Sequence, residues 1–104
     1  MSTKRKSSAM KFLEEVAGSA FSFGALLESL RLSEEISQIA FAKKLGISPS
    51  HLCDIEKGRK VVSAGRAAQF ANLLDRSESQ FVRLALQDEI ERFGLKLKVS
   101  VSAA

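Results

Sequence analysis

Apolar residues recur at helical spacing along most of the chain, and the segments that carry them open on serines. Phe23, Leu26, Leu27 and Leu30 share one stripe behind Ser22, a residue type that caps helix N-termini, so a first helix is expected from Ser22 to Arg31. Ile39, Phe41, Ala42 and Leu45 repeat with Lys43 and Lys44 on the outer side, which predicts a second over residues 38–45. Gly46 supplies a left-handed stop, and Ser48-Pro49 has the N-cap and N1 chemistry of a third, with Ile47, Leu52 and Ile55 turned inward. Ser63 opens a fourth, whose Ala64, Ala67, Ala68, Phe70, Ala71 and Leu74 make a flat face for close packing. After a break at Asp75-Arg76, Ser77 with Gln80 has capping-box spacing for a fifth. There Val82, Leu86, Ile90 and Phe93 repeat at i, i+4, i+8 and i+11 beside Phe81 and Leu84, more apolar surface than a terminal helix needs.

Two further segments flank these five. Met10, Leu13, Val16 and Ala17 line one side of a short amphipathic helix stopped by Gly18, too short to stand alone in water and so expected to dock on its own domain or a partner. Leu95, Leu97, Val99 and Val101 alternate with Lys96, Lys98 and Ser100, the period of a β-strand. A lone strand leaves its backbone unpaired, so its ladder is expected from a second copy or from another protein.

The link between the second and third helices is only three to four residues, which forces a steep crossing and defines a helix-turn-helix. Ala42 is small where the two pack most closely. The outer face of the third helix is then Pro49, Ser50, Cys53, Asp54 and Lys57, short and polar side chains that can enter a major groove about 12 Å wide.

The string S-Q-x-x-x-A-K-K-L-G-I-S-x-S-x-L-x-x-I-E-K-G, from Ser37 to Gly58, resembles the phage-repressor/Cro class of helix-turn-helix domains, the xenobiotic-response-element type of bacterial regulator. The resemblance covers about residues 21–75. It departs where Ile39 and Ala40 stand in place of the acidic residue that often completes a capping box. It implies an all-α fold, a five-helix repressor-like helix-turn-helix domain, here with an added N-terminal helix and a C-terminal β-strand. It also implies that Gln38, with Ser37 beside it, meets a DNA phosphate, that Ser48, Pro49, Ser50 and Asp54 meet base edges, and that Lys57, Arg59 and Lys60 grip the flanking backbone. Arg31 is expected to reach Glu56 and clamp the motif to the first helix. A domain of this class followed by an extra apolar helix and strand is similar to antitoxins of toxin-antitoxin pairs, which would make Leu95, Leu97, Val99 and Val101 a surface for a small toxin; homodimerisation is the other use for them.

Composition narrows this only slightly. Sixteen Lys and Arg against twelve Asp and Glu give +4, which permits binding to double-stranded DNA without demanding it. The case for DNA is therefore geometric more than electrostatic, and two copies on a palindromic operator are expected. A protein-interaction module that has lost DNA binding is the alternative, favoured by the modest charge and by acidic Asp54 on the outer face. Cys53 is the only cysteine, so neither an intrachain disulfide nor a cysteine cluster for metal exists, and no cofactor is expected. Without a basic neighbour in sequence it reads as a small neutral filler, and His51 as a polar surface residue. Ser50, His51 and Asp54 share one helix and cannot form a hydrolase triad, and no glycine-rich phosphate loop is present, so no enzymatic activity is expected. No apolar run approaches the roughly 20 residues that span a membrane; a cytoplasmic, nucleoid-associated protein is the expectation. Along the chain this divides into a basic tail at 1–9, solvated or following DNA, a helical domain at 10–93, and a pairing segment at 94–104.

Overall fold

The computed structural model describes residues 21–104. The expected basic tail and the amphipathic helix at 10–17 lie outside the described residues. Five helices follow: α1 (Phe23–Ser33), α2 (Gln38–Leu45), α3 (Pro49–Glu56), α4 (Ala64–Leu73) and α5 (Glu78–Arg92).

The same local chemistry punctuates all five. Ser22, Ser37, Ser48, Ser63 and Ser77 are the N-caps, each hydroxyl accepting from the backbone N–H three residues on at 3.1–3.3 Å. Each helix also closes with a paired 6→1 and 5→2 bond, as where Ile47 N–H donates to the Ala42 carbonyl at 3.0 Å and Gly46 N–H to Lys43 at 3.2 Å. Gly46 takes φ 74° for this closure, while α1 and α4 make it with Glu35 and Asp75 at φ 55°. Ser37 thus caps α2 without the reciprocal acidic residue.

Phe23, Phe70 and Phe81 tie the first helix to the last two. Phe23 stacks on Phe70 at 6.4 Å between centroids and meets Phe81 edge-on at 5.5 Å. Leu27, Phe41, Ala42, Leu52, Ile55, Ala67 and Ala71 complete the core beneath the motif. Ile39 is not part of it. The second position of α2 points outward, leaving this isoleucine 69% exposed. Two glycine and carboxylate positions do more than the sequence pattern shows. Gly24 sits where α1 meets the backbone of α3, so that an added Cβ would collide with the Ile55 carbonyl oxygen. Asp88 of α5 accepts from the Phe23 N–H at 2.9 Å and so caps α1 from the far end of the chain.

Burial pushes the Asp88 carboxyl above the ordinary carboxylate range, and the Phe23 N–H offsets this only in part. A carboxyl whose pKa is raised by folding contributes stability that is present below its unfolded pKa and is lost as pH rises through the folded value. Asp88→Asn keeps an oxygen for the Phe23 N–H and removes the titration. Urea midpoints measured from pH 3 to pH 7 are therefore expected to fall less with rising pH for Asp88→Asn than for the wild type. A slope unchanged by the substitution would place the pH dependence elsewhere.

The expected C-terminal β-strand is absent: no strand occurs among the described residues. Gly94, at φ 72°, turns the chain back after α5, and the tail runs extended along that helix. The Gln87 side chain supplies the pairing that a ladder would have supplied, donating to the Leu97 carbonyl at 2.9 Å and accepting from the Val99 N–H at 2.8 Å. Val99 and Val101 are half-buried, whereas Leu95 and Leu97 are exposed. Alternation in the sequence is therefore met by one side-chain amide on the chain's own helix instead of by a neighbouring strand.

Candidate nucleic-acid interface

Gly46, Ile47 and Ser48 are the whole connection between α2 and α3. With Leu52 and Ile55 buried and Ile47 half-buried, α3 is held in one rotation about its axis, and Ser48, Pro49, Ser50 and Lys57 are exposed on the other side with Cys53 and Asp54 half-exposed among them. The N-terminus of α2 carries exposed Ser37 and half-buried Gln38. The Ser37 and Ser48 oxygens are both engaged as caps, but each hydroxyl proton remains available to an acceptor.

Glu56 is the hub beneath this surface. Its side chain is fully buried and accepts from Arg31 Nε at 2.9 Å, Arg31 Nη2 at 3.1 Å and Gln38 Nε2 at 2.9 Å. Arg31 Nη1 also donates to the Ile36 carbonyl at 3.3 Å, so the clamp spans α1, the α1–α2 turn, α2 and α3. The Glu56 hydrogen bond raises the Arg31 pKa, outweighing the opposing effect of desolvation. Gln38, expected to face a phosphate, uses one amide proton on Glu56; its second proton is the one left for DNA.

Lys57, Arg59 and Lys60 are exposed around the C-terminal end of α3. Two of the expected DNA contacts satisfy each other: Arg59 Nε donates to Asp54 Oδ1 at 2.9 Å. The Arg59 Nη2 also lies 3.8 Å from Cys53 Sγ, so the thiol does have a cation beside it, brought there by the turn at Gly58 and invisible as a sequence neighbour. Among the described residues no group of three or more His, Cys, Asp or Glu could hold a metal, and no described helix is long and apolar enough to cross a membrane.

Sequence reasoning missed Gly24, Asp88 and Gln87. Gly24 had a signal, since a glycine amid apolar residues in the first turn of a helix is poorly explained by propensity. Asp88 had another, as it continues the Phe81, Leu84, Ala85 face on which an acid is out of place. Gln87 had none.

Capped helices joined by a three-residue turn, with the second of the pair exposing a short polar face above a locked core, make a DNA-binding regulator that acts on double-stranded DNA. The chain belongs to the helix-turn-helix domain family, which matches residues 22–84. Domains of this family are typically non-enzymatic. None of the curated proteins matches the chain. No solved structure matches it either.

Proposed function

We propose that the protein is a dimeric repressor of the phage-repressor/Cro type, acting in the cytoplasm on a palindromic operator. The observation that carries this reading is the outer face of α3, built of short and polar side chains with the Arg59 guanidinium folded over its C-terminal end, and flanked by the capped N-termini of α2 and α3 and by Lys57 and Lys60. Ser37, Gln38, Lys57 and Lys60 take the phosphates, while Ser48, Pro49, Ser50 and the Asp54–Arg59 pair meet base edges. Because the net charge is modest, one copy would bind weakly, and a second supplies the remaining affinity.

The surface for that second copy is the outer stripe of α5. Val82, Leu86 and Ile90 are half-buried and Phe93 is 71% exposed, and Leu86, Ile90, Phe93 and Val99 line a groove of about 360 Å³ with Glu89. Leu95 and Leu97, in the tail that follows α5, are also exposed apolar side chains. The same stripe supports a second reading, an antitoxin that covers it with a small toxin and represses its own operon.

Selection from a randomised duplex library by the full chain tests the proposal. The expected product is a two-fold symmetric sequence with half-sites about one DNA turn, roughly 34 Å, apart. Phe93→Glu should leave helix content intact, give monomers by light scattering and weaken binding to that sequence. A wild type that enriches no sequence would favour the interaction module without DNA binding. A Phe93→Glu variant that still dimerises would move the dimer surface off α5 and leave the stripe to the toxin.

A further inference from the structure

Asp54 and Arg59 are coupled in a way that changes what each can do at a groove. The Arg59 backbone is anchored first: its N–H donates to the Asp54 carbonyl at 2.8 Å, and the Lys60 N–H donates to the same oxygen at 3.2 Å. The guanidinium then folds back over α3, with Nε on Asp54 Oδ1 at 2.9 Å and Nη2 at 3.8 Å from Cys53 Sγ. Cys53 and Asp54 are themselves part of the outer face, so the cation lies on the reading surface and not only beyond its end.

A guanidinium has two edges that can form paired hydrogen bonds. In Arg59 the Nε/Nη2 edge is turned to Asp54 and Cys53, which leaves the Nη1/Nη2 edge free. That edge matches the O6 and N7 acceptors of guanine, the commonest specific contact in a major groove. An isolated Asp54 on a surface that meets phosphates would be repelled by them. Paired with Arg59, its charge is offset and its Oδ1 is engaged by the guanidinium. Lys57 and Lys60 are point charges without this planar fork.

We propose that Asp54 is a positioning residue and that Arg59, held by it, is the side chain that reads a guanine in each half-site. The proposal rests on the operator-reading role of α3 given above. Both side chains are exposed enough that the ion pair contributes little to folding, so its removal acts on orientation more than on stability.

The test uses the full-length chain and the duplex enriched from the randomised library. Asp54→Ala and Arg59→Ala should each reduce discrimination at the same G·C pair by roughly tenfold or more. The double variant should be no less selective there than Arg59→Ala alone. Arg59→Lys should keep the salt dependence of binding while losing the guanine preference, and 7-deazaguanine at that position should weaken the wild type but not Arg59→Ala. Thermal melts of the variants near that of the wild type confirm that folding is intact. If Asp54→Ala relaxes one base pair while Arg59→Ala weakens all sequences alike, the aspartate reads the base directly and the proposal is overturned with operator reading still standing. If the wild type enriches no sequence at all, operator reading falls and the proposal with it.

Discussion

Gly24→Ala is expected to destabilise the domain by about 3 kcal/mol, a large change for a single methyl group. A Cβ at this position would collide with the Ile55 carbonyl oxygen, and it would also stand 3.0 Å from the Ile55 carbonyl carbon and 3.2 Å from the Glu56 oxygen. These are backbone atoms of α3, so relief requires moving the whole helix and not a side-chain tip. Moving it would strain the Glu56 hub and the burial of Leu52 and Ile55 together. In a monomeric helix the same substitution would instead stabilise by close to 1 kcal/mol, because alanine loses less backbone entropy than glycine. The sign of the effect therefore separates tertiary contact from propensity. Gly65→Ala is the control: an added Cβ in the first turn of α4 meets nothing within 4 Å, so a small gain is expected there. Urea unfolding of both variants checks the pair of signs. A stabilised Gly24→Ala would mean that α1 and α3 are not in close backbone contact.

Arg31→Ala should cost on the order of 3 kcal/mol for a different reason. The substitution removes two of the three side-chain donors to Glu56 and leaves a buried carboxylate with Gln38 alone. The intact pair need not be a large net stabiliser, since both charges were desolvated to form it. Removing one partner is costly because the other stays buried. Arg31 is 12% exposed and the Glu56 side chain 0%, so solvent offers little relief. Replacing both residues by apolar side chains of similar size, Arg31→Met with Glu56→Leu, should recover most of the loss. A double-mutant cycle with no coupling between the two positions would show that the clamp carries no energy. Among the described residues the intact protein has no buried side-chain nitrogen or oxygen without a partner, which is why this network fails by removal and not by strain already present.

The motif itself was legible because its signals are local. A serine hydroxyl reaches only three residues ahead, and a glycine closes a helix through its own φ, so Ser22, Ser48, Gly46, Ser63 and Ser77 mark helix ends wherever the chain is cut. Helical periodicity over α1 and α4 shows a core face for the same reason. Periodicity misleads at the edges, where one helix has two apolar sides. Ile39 fits the apolar pattern of α2 and is exposed, while α5 gives Phe81, Leu84 and Ala85 to the core and leaves the more regular stripe from Val82 to Phe93 outside.

What tertiary structure alone decided is the set of partners that are distant in sequence or non-backbone in kind. The period-two run from Leu95 to Val101 records that its side chains alternate, but alternation does not name the group that pairs the backbone, and here that group is the Gln87 amide. Asp54 and Arg59 each suit a DNA contact when taken singly; the turn at Gly58 brings them to 2.9 Å and makes them one unit. Gly24 and Asp88 act across the fold on Ile55 and Phe23, which lie 31 and 65 positions away. Chain-local chemistry thus determined where the helices begin and end and which helix faces outward, because capping and periodicity act within a few residues. Close packing and buried hydrogen bonds determined everything that depends on which segments meet, because those energies exist only once the chain has closed on itself.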